Sequence, residues 1–212
     1  MIKKLFAYAL VIILTAFAVS SCGGGAPELS SVKDELVGLI EASYEINDVF
    51  FGKGLPTYER GGDYDKEYRL YDDVSAEFDY YEYVTEDAAY HFVDQIKSAA
   101  EKVYTTEYLR GIYTMAFDGY ADENTGKVTT SRYLEADSWL LKYAFGEEDS
   151  FNILPGKRVY DFDSMEIVKP SSAKYLNVEI DSEIVGEADS ALRITLRFKL
   201  TDNGWRLDSP TY

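Results

Sequence analysis

The chain has 212 residues, enough for one domain or two small ones, and 46% of its residues are hydrophobic, with 19 tyrosines among them. Its single cysteine excludes an intramolecular disulfide, and one cysteine with one histidine excludes a zinc site of the usual Cys/His type. The net charge of −17 argues against nucleic-acid binding, which needs a basic surface. It also argues against binding to anionic lipid through a cluster of basic residues.

The first 21 residues have the three parts of a secretory signal peptide. Lys3 and Lys4 form a positive region, residues 5–18 form an uncharged apolar run, and residues 19–21 form a small-residue cleavage region. The apolar run is shorter than the roughly 20 residues that a membrane-spanning helix needs. We therefore expect this segment to be cleaved; the alternative is an uncleaved membrane anchor.

The only cysteine, Cys22, follows this segment directly. The preceding sequence, Val-Ser-Ser-Cys, resembles the lipobox of bacterial lipoproteins. In that family the cysteine sulfur takes a diacylglyceryl group and a peptidase cuts just before it. The resemblance implies that Cys22 is the lipid attachment site and the first mature residue, and that the protein is extracytoplasmic and anchored to the cell membrane. Each buried methylene would contribute ~0.8 kcal/mol to that anchoring.

Residues 22–30 are glycine-rich and predict a flexible tether. Nine extended residues reach at most ~30 Å. We therefore divide the chain into a signal peptide (1–21), a tether (22–30) and a single domain (31–212) that lies close to the membrane.

Apolar residues spaced by three or four predict a first helix from Ser31 to Phe51, with Ser30 or Ser31 as its N-cap and Gly52 at its end. The next segment, residues 52–74, has glycines, charges and four tyrosines but no apolar period. It is predicted to be a long surface loop, and such loops serve as lids or binding loops, or are disordered.

Two further helices are predicted. One runs from Glu86 to Tyr104 with Thr85 as its cap, and the other starts at Thr105 or Thr106 and ends near Phe117. Acidic residues in the first turn of the former suit the helix dipole.

Strands are predicted for residues 77–84 and, where the period becomes two, for residues 130–145, 158–168, 173–185 and 190–201. In the last of these, five alternate residues are expected to point inward: Leu192, Ile194, Leu196, Phe198 and Leu200. Asn203-Gly204 predicts a hairpin turn that places Leu200 opposite Leu207 and Lys199 opposite Asp208.

This order predicts an α+β fold, with three N-terminal helices packed on a strongly curved antiparallel sheet of four to six strands. It resembles the nuclear transport factor two-like superfamily, a cystatin-like cone shared by ketosteroid isomerase, scytalone dehydratase and the SnoaL-like cyclases. The stretches "EASYEINDVFFGKGLP" and "NGWRLDSPTY" are similar to clostridial-type lipoproteins with this domain. The resemblance covers residues 30–212 and implies a pocket between the sheet and the helices.

Six aromatic residues are candidates for that pocket or for an aromatic surface: Tyr81, Tyr83, Tyr113, Tyr133, Phe198 and Trp205. The tyrosines of residues 58–83 could form a surface for sugars or peptides, because tyrosine offers an apolar face and a polar tip. The competing interpretation is ordinary packing, with Trp205 in the core or in a pocket wall.

Three other features could have a functional role or only an ordinary structural one. His91 could be a base of the kind that the dehydratase resemblance implies, or an exposed residue on the polar face of the second helix. Asp161 and Asp163 share one strand face and could hold a divalent cation, or simply be solvated. Residues 118–126 are spaced somewhat like a calcium loop but lack its pattern, so a polar turn is favoured.

We carry three hypotheses from the sequence. The first is a non-enzymatic surface lipoprotein that binds a small ligand or an envelope protein. The second is an isomerase- or dehydratase-like enzyme that uses acid–base chemistry in the same pocket, and the third is a structural envelope protein. No cofactor, metal or nucleic-acid partner is expected, and the oligomeric state is open.

Overall fold

The computed structural model describes residues 25–68, 70, 80–121, 128–136, 138–144, 151, 153–154 and 156–212. As predicted, these residues form an α+β fold. It contains four α-helices rather than three, and its strands form separate antiparallel sheets rather than a single one. The predicted signal peptide and Cys22 lie outside the described residues.

The helical layer is built mainly from the first, third and fourth helices of the chain. In chain order, the helices are α1 (Leu29–Phe51), α2 (Asp63–Tyr68), α3 (Val93–Val103) and α4 (Thr106–Tyr113), and a π-helical turn (Thr114–Asp118) extends α4. The longest helix, α1, packs against α3.

Helix α1 confirms the first predicted helix and begins two residues earlier. Its apolar spacing buries one face, which includes Leu36, Leu39, Ile40, Ile46, Val49 and Phe50. The predicted serine cap is wrong, because the N-cap residue is Glu28 and the Ser31 hydroxyl donates to the Glu28 carbonyl (2.7 Å). Gly52 ends the helix as predicted, and its N–H donates to the carbonyl of Asp48 (3.0 Å).

Helix α3 begins at Val93, so the predicted start at Glu86 is wrong. Thr85 does not cap a helix; its hydroxyl donates to the Asp87 carboxylate (2.5 Å) within a turn. The Val93 N–H donates to Glu135 Oε1 (2.6 Å), a residue 42 positions away in the chain. A distant carboxylate therefore satisfies the first turn of α3.

Helix α4 begins where predicted. Thr105 is its N-cap, and the Thr105 hydroxyl accepts from the Tyr108 N–H (3.1 Å). Leu109, Ile112 and Ala116 are buried, so one face of this helix packs into the core.

The described strands form one sheet of four strands, one of three and one of two. They are β1 (Tyr81–Tyr83), β2 (Tyr120–Ala121), β3 (Val128–Thr129), β4 (Tyr133–Ala136), β5 (Trp139–Tyr143), β6 (Arg158–Val168), β7 (Tyr175–Ile184), β8 (Leu192–Thr201) and β9 (Gly204–Leu207). Their orders are β6-β7-β8-β9, β1-β5-β4 and β2-β3, all antiparallel.

The strands predicted over residues 158–168, 173–185 and 190–201 are confirmed as β6, β7 and β8. On β8, Leu196 and Phe198 are each 1% exposed, as expected for inward residues. Leu192 and Leu200 are 56% and 40% exposed, so their predicted burial is wrong. The helical layer covers the middle of β8 and leaves its ends open to water.

The β8–β9 hairpin is confirmed, but its predicted register is wrong. The observed pairs are Phe198–Leu207, Lys199–Arg206, Leu200–Trp205 and Thr201–Gly204. A turn centred on Asn203-Gly204 needs positive φ at both residues. Of these two, Gly204 has a positive φ (95°) and Asn203 does not, so the turn is centred one residue earlier.

The predicted strand over residues 130–145 is a hairpin, β4–β5, rather than one strand. Ala136 lies opposite Trp139, so the chain reverses between these two residues. Ser138 has φ 68°, a left-handed conformation that is uncommon outside glycine and asparagine.

The predicted long loop over residues 52–74 contains the short helix α2, and its described part lies along β1. The Tyr58 N–H donates to the Tyr83 carbonyl (2.9 Å), and the Thr57 hydroxyl donates to Glu82 (2.6 Å). Residues 71–74 of this predicted loop and residues 77–79 of the predicted strand lie outside the described residues.

Candidate functional site

Four of the six predicted aromatic site residues lie in the main core. Phe198 and Trp205 are 1% and 5% exposed, and they pack with α1 and α3 side chains in one hydrophobic cluster. Tyr133 is fully buried; its hydroxyl accepts from the Leu55 N–H and donates to the Val49 carbonyl (3.0 Å each). Side chains thus occupy the described space between the helices and the four-stranded sheet.

Tyr113 is the fourth residue of this group and is half-buried. Its ring lies 6.3 Å from that of Phe50, and its hydroxyl donates to the Lys97 carbonyl (3.2 Å). It therefore links α4 to α3 at the edge of the core.

The other two predicted residues, Tyr81 and Tyr83, belong to a second cluster on the three-stranded sheet, together with Leu141. Tyr81 donates to the Ser131 carbonyl (2.8 Å), and Tyr83 makes an edge-to-face contact with Trp139 (5.4 Å between centroids, 78°). Such geometry is favourable for aromatic pairs. The six predicted residues therefore occupy two separate clusters.

A cavity of about 180 Å³ opens at the turn between β4 and β5. It is lined by Val84, His91, Ser138, Trp139 and Leu140. Val84 and Leu140 are buried apolar lining residues, and the Val84 N–H donates to the Leu140 carbonyl (2.9 Å). Trp139 and His91 are half-buried, and Ser138 is exposed.

His91 is not on the exposed face of a helix, as one interpretation of the sequence had it. It lies two residues before α3, and its backbone N–H donates to Gln95 Oε1 (2.7 Å). The hydrogen bond from Val93 to Glu135, on β4, holds this segment beside the β4–β5 turn. Sequence reasoning missed Ser138 and Trp139, since both fall within the apparent continuous strand.

A buried polar network joins α1 to the segment after β9. The Thr211 hydroxyl, in a residue 1% exposed, lies 2.7 Å from Ser43 Oγ and 2.8 Å from both Asn47 Nδ2 and the Tyr104 hydroxyl. Tyr160 donates to the Thr211 carbonyl (2.8 Å). This network is internal and satisfied by protein atoms, so it serves packing specificity.

The carboxylates considered as a cation site are engaged with protein groups. Asp161 Oδ1 accepts from the Asp163 N–H (3.0 Å), and Asp163 pairs with Lys33 (3.3 Å). Across the sheet, Asp181 pairs with Arg193 (3.0 Å). Among the described residues, no group of three or more His, Cys, Asp or Glu side chains could hold a metal ion.

The second cavity, of about 360 Å³, is a groove at the β6–β7 end of the four-stranded sheet, with Tyr160, Asp161 and Glu183 in its wall. Residues 122–126 of the calcium-like stretch lie outside the described residues. Within the part that the structure describes, no helix is long and apolar enough to cross a bilayer.

Burial raises the pKa values of several tyrosine hydroxyls among the described residues. Burial raises the pKa of Tyr104 to about 12, and it also raises the pKa of Tyr108, Tyr113 and Tyr160 above the ordinary value. These hydroxyls stay protonated at neutral pH and act as hydrogen-bonding groups there.

Comparison with known proteins finds no match to this chain among family models, curated proteins or solved structures.

Proposed function

We propose that this protein is a lipid-anchored extracytoplasmic protein whose folded domain binds a ligand and does not catalyse a reaction. The proposed lipid anchor is supported by the order of the N-terminal segments. Lys3 and Lys4 come first, followed by an apolar run, small residues and then Cys22, the only cysteine. A sequence of this kind directs export and then places the cysteine where acyl chains can be attached.

The start of the domain supports a short tether. Helix α1 begins at Leu29, seven residues after Cys22, and seven extended residues span about 25 Å. The domain would therefore sit close above the bilayer, and its −17 charge would disfavour lying flat on anionic lipid.

A cone-like shape is part of the proposal. Helix α1 packs on both β6 and β9, the two outer strands of the four-stranded sheet, as a helix in a concave sheet would. The register of β6 against β7 shifts between Asp161 and Glu166, and such irregularities bend a strand. Because core side chains occupy the interior, we place ligand binding at the cavity beside the β4–β5 turn of the three-stranded sheet.

The second candidate function is the acid–base enzyme. The observation that favours it is His91, whose half-buried imidazole lines a cavity and could move a proton. Binding is preferred because the other four lining residues are Val84, Ser138, Trp139 and Leu140, which supply neither a carboxylate nor a second titratable partner.

The anchoring is tested with Cys22→Ala in a bacterial host that processes lipoproteins, by membrane fractionation and by incorporation of labelled fatty acid. We expect the wild-type protein to be labelled and membrane-bound, and Cys22→Ala to lose both properties, because the thiol is the acylation site. Ser20→Ala, which keeps a small residue before the cysteine, serves as the matched control. Equal labelling and membrane binding of Cys22→Ala would show that the lipoprotein proposal is wrong.

A further inference from the structure

We propose that the cavity between the β4–β5 turn and the segment before α3 is a binding site for a single neutral sugar ring. This inference rests on the binding role proposed above, and it names the site and the ligand class. The cavity, of about 180 Å³ and lined by five residues, is smaller than the pockets of roughly 300–1,000 Å³ that take drug-sized ligands. Its size suits one six-membered ring.

The charge of the lining residues selects a neutral ligand. Val84, His91, Ser138, Trp139 and Leu140 include no Asp, Glu, Lys or Arg. Among the described residues that line the cavity, an organic cation would meet no carboxylate. An anion would be opposed by the net charge of −17 over the whole chain.

Trp139 supplies a preorganised aromatic surface. Its indole is held edge-to-face by Tyr83, which is 7% exposed and belongs to the second hydrophobic cluster. A ring fixed in this way loses little conformational freedom on binding. The electron-rich face of an indole attracts weakly positive C–H groups, such as those on one face of a pyranose.

The polar groups of the cavity match hydroxyls. Within the described part of the chain, the His91 imidazole, the Ser138 hydroxyl and the Trp139 indole N–H make no hydrogen bond to protein atoms. Together they offer donors and acceptors around one rim. A polyhydroxylated ring could replace the water that solvates them in the free protein.

The backbone conformation of Ser138 also supports a binding site in this cavity. Its φ of 68° is one that glycine or asparagine adopts more readily in a two-residue hairpin turn. Serine here is strained, and strained residues are often found where a side chain has a functional task. The hydroxyl at this position is available to the ligand, whereas glycine would relieve the strain and remove it.

The test uses the full-length, untagged protein in a detergent without a sugar headgroup, observed by NMR. His91 is the only histidine, so its imidazole ring C–H groups can be assigned without ambiguity. Glucose, galactose, mannose and N-acetylglucosamine are titrated separately to about 50 mM, a range that detects millimolar binding. Sorbitol, which has hydroxyls but no rigid ring, is the control ligand.

We expect at least one of the four sugars to shift the His91 signals saturably, and sorbitol to leave them unchanged. Trp139→Ala should weaken that sugar by about 10-fold or more, because the stacking surface is lost. Ser138→Gly should weaken it about 3-fold or more while thermal stability is unchanged or higher. Tyr175→Ala, which removes a 52% exposed aromatic residue on β7, should change neither property.

Three results would overturn the inference: no shift with any of the four sugars, an unchanged affinity in folded Trp139→Ala, or equal shifts with sorbitol and with the sugars. None of these would affect the anchoring proposal, which depends on Cys22 labelling and fractionation. Conversely, sugar binding by a protein whose Cys22→Ala variant remained acylated and membrane-bound would support the site and remove the proposed anchor.

Discussion

Thr211 connects parts of the chain that are far apart in sequence through one hydroxyl group. Ser43 Oγ donates to the Ile40 carbonyl (2.6 Å), so it is free to accept from Thr211. Thr211 in turn accepts from Asn47 Nδ2, and Asn47 Oδ1 accepts from the Tyr104 hydroxyl (2.8 Å). Every link in this chain of buried bonds depends on its neighbour, so the loss of one hydroxyl affects several groups.

Thr211→Val is expected to lower the free energy of unfolding by about 2–3 kcal/mol, because it leaves buried partners unsatisfied at nearly constant volume. The measurement is urea unfolding followed by circular dichroism. Thr195→Val, at an exposed position on the outer face of β8, is the matched control and should change stability by less than about 0.5 kcal/mol. Similar values for the two variants would mean that the network contributes little.

At the scale of elements, the β8–β9 turn depends on one glycine. Gly204 has φ 95°, and a Cβ added there would lie 2.7 Å from Glu35 Oε1. That same oxygen accepts from the Trp205 N–H (2.9 Å). Glu35 thus ties α1 to the start of β9, and the glycine leaves room for it.

Gly204→Ala is expected to destabilise the protein by about 1–2 kcal/mol, since alanine is strained at positive φ and displaces Glu35. Gly111→Ala provides the contrast: a Cβ there meets nothing within 4 Å, and alanine in a helix is favoured by up to about 1 kcal/mol. Thermal and urea unfolding of both variants measure whether each substitution lowers or raises the free energy of unfolding. A stabilising Gly204→Ala would contradict the role given to this turn.

Helices and strands that follow from the pattern of their own residues could be predicted from the sequence. Element boundaries that depend on contacts with distant residues could not. Helix α1 and strand β8 follow from apolar periods of 3.6 and two, which are properties of the local sequence. The start of α3 depends on Glu135, on a different strand, so a threonine that looked like a cap was misleading. The β8–β9 register depends on turn dihedral angles that the Asn-Gly signal does not fix by itself.

The candidate site was less predictable than the fold. The six aromatic residues were chosen for their type, and type does not say whether a tyrosine packs inside, as Tyr133 does, or faces a cavity. The cavity arises where two hairpin residues, Ser138 and Trp139, meet the segment that contains His91. These two segments are about 45 residues apart in the sequence and are brought together by tertiary packing, which no local sequence pattern predicts.

For the whole molecule, the tyrosines determine how stability responds to alkali. The ordinary tyrosine pKa is 10.0, and burial raises that of Tyr104 to about 12 in the folded state. Between these values the unfolded chain has lost the proton that the folded protein still holds. The contribution to stability is therefore complete below pH 10 and is lost as pH rises through the folded pKa.

We therefore expect the free energy of unfolding to fall between about pH 10 and 12, by up to about 1.4 kcal/mol per pH unit for each buried tyrosine that differs between the states. Urea unfolding at a series of pH values gives this slope, and tyrosinate absorbance reports the titration. Tyr104→Phe should give a shallower slope, whatever its effect on stability at neutral pH. A stability that is constant across this range would contradict the expectation.

The network around Thr211 has a consequence for the order in which the protein can fold. The hydrogen bonds from Ser43 and Asn47 to Thr211 join residues 168 and 164 positions apart. A chain that leaves the cytoplasm N-terminus first would expose α1 long before its partner segment arrives, and contacts of such long range form slowly. If the protein is exported as we propose, the buried face of α1 would need shielding until Thr211 emerges, and the final packing would occur on the outer side of the membrane.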